Sequence, residues 1–399
     1  MPEDQPLRGR NIVCVGFADW DTELWTNQHH LMSRLAAENE VLFVESLGLR
    51  SPQLLSGRDL ARIARRLRRG LAPPRTIDGV HVLSPLVLPA HRYRAARALN
   101  ARLLPAIVSH AVKRLHMSRP ILWAYAPQAQ TLLAALQPGL VIYHCVDDIA
   151  AQPGVDAASF RAAERRLLRS ADLVLASSPP LQKRLSELSD RVLYAPNVAD
   201  VDLFATALQP GPEDAALSAL PHPRIVFTGA IVQTKLDMEL LLATARLRPQ
   251  WSIALVGPVG AGDPGTDVSR LQAQPNIHLL GHRAHDRLPD VLRAADAAII
   301  PYSINPLTTS IFPMKVYEYL AAGLPVVSTP LPSLAGVTQI ERAGSAQELV
   351  QELEQALTDD SPALRAQRSA DASSHSWDRR LAEISEAIAA VQAGEGLPA

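Results

Sequence analysis

The chain has 399 residues, of which 47% are hydrophobic and 20% charged, and its formal net charge at pH 7 is −1. This composition excludes an intrinsically disordered chain, and the length exceeds the size at which a single core stops growing, so two domains are expected. Cys14 and Cys145 are too few for a disulfide framework and lack a metal-binding spacing. We therefore expect a reducing, cytoplasmic compartment. No window approaches the roughly eighteen consecutive apolar residues that a membrane-spanning helix needs.

Short apolar, β-branched segments alternate with helical patterns along the whole chain. The strands predicted in the first half are 12–15, 41–44, 121–124, 141–145, 173–176 and 192–195. Those predicted in the second half are 225–228, 253–256, 277–280, 297–300 and 325–328. Continuous apolar strands that alternate with helices indicate parallel sheets covered on both faces, so the predicted fold class is α/β.

The alternation pauses at residues 202–223, whose proline- and glycine-containing sequence predicts a linker. A shared helix-end, Ala-Asp and strand layout after Leu168 and Leu292 suggests two doubly wound domains of similar construction. We predict domains at 1–205 and 206–375 and a C-terminal helix at 376–399 that crosses back to the first domain. Ligands of such sheets bind beyond the carboxyl ends of the strands, so the site is expected in a cleft between the domains.

Basic residues are concentrated between Arg58 and Arg119, where Asp59 and Asp78 are the only acidic residues. Attraction to an anionic membrane is worth about 1 kcal/mol per basic residue near the surface, so this region predicts peripheral contact at the inner face of a membrane. A solvated arginine surface is an equal alternative. Nucleic acid is not a predicted partner, because Tyr93 is the only aromatic residue here and no nucleic-acid motif occurs.

Residues 225–237 combine an apolar strand, Gly229, a loop that contains Lys235, and the start of a helix. A glycine at a strand end allows the backbone to approach a ligand, and a nearby cation suits phosphate. The segment therefore predicts a phosphate-binding loop. The alternative is a tight strand-to-helix turn with an exposed lysine.

Residues 310–328 contain a second such combination, with Lys315 and Glu318 on one face of a short predicted helix. Pro313 suits the beginning of that helix and Gly323 its end. A lysine for phosphate oxygens beside a carboxylate for ribose hydroxyls would suit a nucleoside diphosphate. The alternative is an ordinary ion pair on a helix surface.

Two other patterns carry no site. Residues 260–265 match a dinucleotide-binding fingerprint, but Pro264 removes a backbone amide and a surface loop is the better interpretation. Asp200 and Asp202 follow a strand end, where helix capping explains them better than a metal does. No metal ligands are predicted.

In their order and spacing, several segments resemble GT-B glycosyltransferases of the family-4-like, group 1 type found in bacterial cell-surface and exopolysaccharide synthesis. The segments that carry the resemblance are 25–36, 143–148, 171–179, 196–197, 227–229 and 312–325. The resemblance implies two Rossmann-like domains that face each other across a cleft, the first binding the acceptor and the second the nucleotide sugar. It implies transfer from a UDP- or GDP-type donor to a glycan or lipid-linked acceptor, with no metal or other cofactor.

By this resemblance, Glu318 matches the second glutamate of the family's Glu-x7-Glu motif, which holds the nucleotide ribose. Ser310 stands where the first glutamate would contact the donor sugar, and Ala230 stands where the family often has an arginine. Lys235 matches the family's second phosphate cation. Lys315 could replace the charge of the missing arginine.

Residues 143–147, together with Met314 and Lys315, are similar to the xanthan-type glucuronosyltransferase branch of these enzymes. That similarity implies Asp147 as the general base on the acceptor hydroxyl, and contacts from Met314 and Lys315 to the nucleotide. Asp147 as base predicts inversion at the anomeric carbon, whereas full family-4 behaviour predicts retention. The alternative role for Asp147 and Asp148 is capping of the following segment.

Three residues near the first strand are candidates for contact with the acceptor. His29 and His30 begin an amphipathic helix, where one is expected to be packed and the other exposed. Trp20, in the preceding loop, could stack on a sugar ring. Two alternatives to a transferase remain: a non-catalytic GT-B partner in a polysaccharide assembly complex, and a nucleotide-sugar epimerase of the same fold.

Overall fold

The structure is a computed structural model that describes residues 6–45, 73–85, 94–152 and 154–397, without the side chains of residues 94–97. The chain divides into two compact units, Met1–Pro196 with Leu381–Ala399, and Asn197–Arg380. The predicted end of the first domain, at 205, lies slightly after Pro196. The predicted end of the second domain, at 375, lies slightly before Arg380.

The first unit is built on a sheet of strands that are parallel except at one edge. Its strands are β1 Asn11–Val15, β2 Glu40–Val44, β3 Arg75–Ile77, β4 Val80–Leu83, β5 Ile121–Ala124, β6 Leu140–Cys145, β7 Leu173–Ala176 and β8 Val192–Tyr194. In space they follow the order β3-β4-β2-β1-β5-β6-β7-β8. Only β3 pairs antiparallel within this described sheet, with β4. The helices are α1 Asn27–Leu35, α2 Arg94–Arg114, α3 Leu133–Leu136, α4 Ala157–Leu168 and α5 Pro179–Ser186.

The second unit contains a parallel sheet in the order β11-β10-β9-β12-β13-β14. Its strands are β9 Arg224–Thr228, β10 Ser252–Val256, β11 Ile277–Gly281, β12 Ala297–Ile300, β13 Val326–Ser328 and β14 Glu341–Arg342. Its helices are α6 Val201–Ala205, α7 Ala215–Ser218, α8 Met238–Leu247, α9 Ser269–Gln272, α10 Leu288–Arg293, α11 Lys315–Ala321, α12 Ala346–Asp359 and α13 Pro362–Ala372. The last helix, α14 Trp377–Ala393, begins in this unit.

The α/β fold class predicted from the sequence is confirmed, and each predicted strand is present. The central strands are buried along their whole length, as in β6 and β9, because helices cover parallel sheets on both faces. The sequence analysis did not identify β3, β4 or β14. The first two form a hairpin through Asp78 and Gly79, both of which have positive φ.

The segment predicted as a linker is instead a packed part of the second unit. It contains α6 and α7, and the side chains of Phe204 and Leu217 are fully buried. Arg293 holds the irregular stretch between these helices, since its guanidinium donates to the carbonyl oxygens of Thr206 and Gln209. The prolines and glycines here mark irregular backbone, which can nevertheless be well packed.

Half of the fourteen basic residues in the region predicted to contact a membrane lie outside the described residues, namely those between Arg58 and Arg69 and also Arg92. Among its described members, Arg102, Lys113, Arg114 and Arg119 are exposed, whereas Arg75 pairs with Asp21 at 2.9 Å. No helix in the described part of the chain combines the length and hydrophobicity needed to span a bilayer.

Candidate functional site

Two glycines meet at the carboxyl ends of β9 and β10 in the second unit. The amide of Gly229 donates to the carbonyl oxygen of Val256 at 2.8 Å. A Cβ atom on Gly257 would lie 1.9 Å from the carbonyl oxygen of Gly229, and φ is +154° at Gly257 and +132° at Gly229. Only glycine permits this contact between the two backbones. The ends of the two strands therefore present bare backbone.

The ammonium of Lys315 lies directly over Gly229. A Cβ atom on Gly229 would be 2.3 Å from Cε and 2.7 Å from Nζ of Lys315. The same Nζ is 5.8 Å from the centroid of the buried Phe227 ring. Among the described residues, Lys315 has no ion pair or hydrogen bond from its ammonium, although it is half-buried. A cation held over a glycine loop without a counter-ion is a suitable site for an anion.

Tyr319 fixes this lysine by joining α11 to the end of β9. Its hydroxyl accepts from the amide of Thr228 at 2.8 Å and lies 3.1 Å from the Thr228 hydroxyl. Burial raises the pKa of Tyr319 well above its usual value, so the phenol stays protonated. Lys315 and Tyr319 are four residues apart and share one helix face. The same bond that holds Tyr319 therefore directs Lys315 toward Gly229.

Glu318 is buried, with 7% of its surface exposed, yet its carboxylate has no hydrogen bond or ion pair among the described residues. It does not pair with Lys315, so the alternative of an ordinary surface ion pair does not describe this helix. Buried carboxylates normally have partners, because removing an ionised group from water is costly. The hydroxyls of a ligand would supply them.

The segment before α11 is held by buried side chains. The Nδ2 atom of Asn197 donates to the carbonyl of Phe312 at 2.8 Å, and the hydroxyl of Ser333 donates to that of Ile311 at 2.5 Å. At the other end, Gly323 has φ +78°, a left-handed conformation that ends the helix. Met314, which immediately precedes α11, is half-buried. Both ends of the short helix are therefore fixed.

Lys235 lies on the loop that follows Gly229, and this loop is held against the segment after β12. The carbonyl of Lys235 accepts from the amide of Ser303 at 2.8 Å, and Asn305 Nδ2 donates to the carbonyl of Thr234 at 3.1 Å. The Lys235 ammonium has no described ion-pair partner. Of the two departures from the family pattern, Ala230 is half-buried and Ser310 has 8% of its surface exposed.

In the first unit, Asp147 lies two residues beyond the end of β6. It is half-buried, and its carbonyl oxygen accepts from the amide of Ile149 at 3.1 Å. Its neighbour Asp148 makes no side-chain capping bond and instead pairs with Arg161 at 2.6 Å. Asp147 therefore stands at the carboxyl end of a central strand, where sheets of this type bind ligands.

The acceptor-side candidates are placed differently from the prediction. His29 and His30 are both buried, with 0% and 3% of their surfaces exposed, so the expectation that one is exposed was wrong. Trp20 is 3% exposed and packs against Phe43 at 4.8 Å between ring centroids, which leaves no ring face for a sugar. Trp25 is the more accessible ring of this aromatic group, at 36%.

His29 is buried because both of its ring nitrogens bond to the backbone of the preceding loop. Nδ1 accepts from the amide of Thr26 at 3.1 Å, so Nε2 carries the proton and donates to the carbonyl of Asp19 at 3.1 Å. Burial lowers the pKa of His29 to about 4, so the imidazole is neutral. It acts as a structural cap of α1.

This burial predicts a loss of stability in acid. His29 titrates near 6.5 when unfolded and at about 4 when folded, so the unfolded chain binds more protons as the pH falls between these values. We expect the free energy of unfolding to fall by about 3 kcal/mol from pH 7 to pH 4 through this group, and to be unaffected by it above pH 7. Urea unfolding at several pH values would measure the slope. The His29→Gln variant should lack the part of the pH dependence that His29 contributes, whereas the control His110→Gln, at an exposed position, should retain it. Equal slopes for the wild-type protein and both variants would contradict the prediction.

Metal binding has no obvious location in the described part of the chain. No group of three or more His, Cys, Asp or Glu side chains there is placed to hold an ion. The residues that could bind a cofactor or co-substrate are those around Gly229.

The sequence analysis missed two residues that shape this site, Gly257 and Tyr319. Gly257 directly follows the predicted strand 253–256, and a glycine after a buried strand is the same signal that identified Gly229. Tyr319 follows Glu318 in the sequence and carried no separate signal, because its partner Thr228 is distant along the chain.

Part of the second unit is similar to a known protein family. Residues 222–359 match the family described as glycosyl transferases group 1. TuaH of Bacillus subtilis (strain 168), whose name assigns it provisionally to teichuronic acid biosynthesis as a glycosyltransferase, is 30% identical over 227 residues, which cover 54% of this chain and 56% of TuaH. The D-inositol 3-phosphate glycosyltransferase of Rhodococcus opacus (strain B4) is 31% identical over 184 residues, 40% of each chain. The chain thus spans about half the length of TuaH and 40% of the length of the Rhodococcus enzyme.

Solved structures match over nearly the whole chain. HepE of Anabaena, in a complex with UDP and glucose, has a TM-score of 0.63 at 15% identity and covers 96% of this chain and 99% of its own. A glycosyltransferase from Rickettsia africae has a TM-score of 0.66 at 13% identity, with coverages of 96% and 99%. Sucrose-phosphate synthase from Thermosynechococcus elongatus has a TM-score of 0.64 at 16% identity, with coverages of 97% and 100%. The chain therefore has the GT-B fold, and its residues 222–359 match the glycosyl transferases group 1 family.

Proposed function

We propose that the protein is a glycosyltransferase that uses a nucleoside diphosphate sugar as donor. The observation that carries this proposal is the ammonium of Lys315, held over the bare backbone of Gly229 with no described counter-ion. A diphosphate placed there would be neutralised by the charge of Lys315 and could approach the backbone closely, because Gly229 has no side chain. HepE, which has the same fold, binds UDP and glucose.

In this assignment each residue of the donor site acts on one part of the nucleotide. Lys315 and Lys235 neutralise the diphosphate as the bond to the sugar breaks, which stabilises the leaving group without a metal. Met314 contacts the nucleotide. Glu318 accepts hydrogen bonds from the ribose hydroxyls, which would satisfy its buried carboxylate.

Asp147 is the proposed general base in the first unit. A carboxylate at the carboxyl end of a strand can take the proton of an acceptor hydroxyl as that oxygen attacks the anomeric carbon. A single displacement of this kind inverts the anomeric configuration. The burial of Trp20, His29 and His30 argues against direct contact of these three with the acceptor.

For the biological setting, we propose a glycan or lipid-linked acceptor in the synthesis of a cell-surface polysaccharide. The similarity to TuaH supports this class of product. The protein would act in the cytoplasm and meet its acceptor at the inner face of the membrane, with the basic region 58–119 attracted to anionic lipid.

The proposed role of Glu318 predicts opposite effects on stability and on binding. The Glu318→Gln variant should unfold at the same or a higher temperature, because a buried carboxylate without a described partner is replaced by a neutral group. Its affinity for UDP should fall by roughly tenfold, since the glutamine amide oxygen would accept a neutral hydrogen bond worth about 0.5–1.5 kcal/mol in place of a charge-assisted one worth about 1.5–3 kcal/mol. Thermal unfolding and calorimetric titration would measure the two effects. The exposed variant Glu187→Gln is the control, and parallel losses of stability and affinity would point to a structural role instead.

The proposed function is tested by titrating UDP and GDP into the purified protein and then measuring nucleotide release from a panel of UDP- and GDP-sugars with octyl glycosides as acceptor probes. We expect one nucleotide to bind and one donor to be consumed in an acceptor-dependent way. Conversion of the donor without acceptor would instead indicate an epimerase. Binding without turnover would indicate a non-catalytic partner. The anomeric configuration of the product, determined by NMR, would distinguish inversion from retention.

A further inference from the structure

A network of charged side chains holds the loop that follows β6. Both carboxylate oxygens of Asp148 accept from the Nη2 atom of Arg161 at 2.6 Å. The Nη1 atom of the same arginine donates to Oε2 of Glu164 at 3.1 Å. Arg161 and Glu164 lie on α4, so Arg161 connects the loop to a buried position on that helix.

Glu164 is the fixed end of this connection, with 1% of its surface exposed. Arg184 on α5 binds both of its oxygens, at 2.7 and 3.1 Å, and the hydroxyl of Tyr143 on β6 donates to Oε1 at 2.7 Å. Burial alone would raise the pKa of Glu164, but the hydrogen bonds and charge of Arg184, with Tyr143 and Arg161, outweigh it and lower the pKa. Glu164 is therefore ionised and held from three sides.

The charges in this network balance, because Asp148 and Glu164 face Arg161 and Arg184. Two partly buried, oppositely charged pairs that share hydrogen bonds are rigid, since moving one member leaves another uncompensated. Arg161 is the only described link between Asp148 and the buried part of the network. Loss of Arg161 would free Asp148 while leaving the pair of Glu164 and Arg184 intact.

Asp147 lies between two anchored neighbours in the chain. On one side, the Sγ atom of Cys145 contacts the Asp147 carbonyl oxygen at 3.7 Å, and Cys145 itself is buried at the end of β6. On the other side, Asp148 is held by Arg161. The backbone of Asp147 is thus fixed on both sides although it belongs to a loop.

We propose that Arg161 is a positioning residue that sets the placement of the Asp147 carboxylate through its ion pair with Asp148. This inference rests on the proposed role of Asp147 as the base. A base must lie within hydrogen-bond reach of the acceptor hydroxyl, and a misplacement of about 1 Å can cost about 100-fold in rate. The guanidinium of Arg161 is already bonded to the carboxylates of Asp148 and Glu164, so it acts on Asp147 through Asp148.

The test compares turnover of the UDP-sugar and octyl glycoside that the wild-type protein uses fastest. The Arg161→Gln variant should lower kcat by about 10- to 100-fold, and Arg161→Lys should recover part of the loss. The affinity for UDP should not change, because the proposed nucleotide site is in the second unit. Asp148→Asn breaks only the outer ion pair and keeps the buried network folded, so it should lower kcat as Arg161→Gln does. Arg165→Gln, at an exposed position on the same helix, is the matched control and should leave kcat unchanged.

Two further comparisons separate positioning from a merely structural role. Because Arg161 acts through Asp148, the variant that combines Arg161→Gln with Asp148→Asn should have the same kcat as Arg161→Gln alone, within about twofold. In an Asp147→Asn background, Arg161→Gln should have no further effect on the residual rate. The inference would be overturned if Arg161→Gln and Asp148→Asn both kept the wild-type kcat. It would also be overturned if Arg161→Gln lowered kcat equally in the wild-type and in the Asp147→Asn background. Either result would leave the assignment of Asp147 as the base standing. A fully active Asp147→Asn variant, or a wild-type protein without turnover, would overturn the proposed function and this inference with it.

Discussion

The Asp147→Asn variant is expected to lose turnover by about 100- to 10,000-fold while its affinity for UDP stays unchanged. The range is that of a positioned general base, whose removal leaves the other contributions to catalysis in place. Asparagine has nearly the same shape as aspartate but cannot take up the proton of the acceptor hydroxyl. Initial rates of UDP release at saturating donor, together with a calorimetric titration of UDP, would measure both quantities.

Two controls define what this result means. Asp190→Asn changes an exposed aspartate of the same unit and should leave turnover unchanged. Asp147→Glu keeps the carboxylate but moves it by about one methylene, so an intermediate loss is expected. A fully active Asp147→Asn variant would exclude Asp147 as the base. A product with retained configuration would argue against the single displacement even if Asp147 proved essential.

The architecture was predictable because buried parallel strands are encoded locally. The predicted strand 141–145 differs by one residue from β6, and 225–228 by one residue from β9. Their apolar side chains are required on both faces of the sheet, so the sequence has no alternation to obscure them. The hairpin of β3 and β4 was also encoded, since Asp78 and Gly79 are a typical two-residue turn, although neither strand was among those predicted.

The site was predictable only as far as each residue's own segment reveals it. Lys315, Glu318 and Gly229 were identified from local patterns, but the contact of Lys315 with Gly229 depends on Tyr319 and Thr228, which are far apart in sequence. The burial of His29 likewise depends on its bonds to Thr26 and Asp19, which helical periodicity does not encode. Hydrogen bonds of buried polar groups, the long-range one of Tyr319 and the local ones of His29 alike, are the part that single-sequence reasoning could not supply.

The Lys315→Ala variant is expected to bind UDP about 10- to 100-fold more weakly, because a hydrogen bond from a charged group contributes about 1.5–3 kcal/mol. The effect should exceed that of most single contacts, since Lys315 lies directly against Gly229 and has no described carboxylate to which its charge is already committed. Gly229→Ala should act in the same direction by another route. Its methyl carbon would lie 2.3 Å from the Lys315 Cε atom and clash with it, and φ of +132° is unfavourable for alanine.

The comparison with a matched lysine decides whether Lys315 binds phosphate or merely contributes positive charge. Lys183→Ala removes an exposed lysine of the first unit and should leave the affinity for UDP unchanged, whereas Lys315→Ala should lower it. If Lys315 contacts the diphosphate, its removal should weaken the binding of UDP far more than that of uridine, which lacks phosphate. Unchanged affinity for UDP in Lys315→Ala would exclude the proposed donor site. Equal losses for UDP and uridine would mean that the lysine supports the fold of α11, because a structural defect would not distinguish ligands with and without a diphosphate.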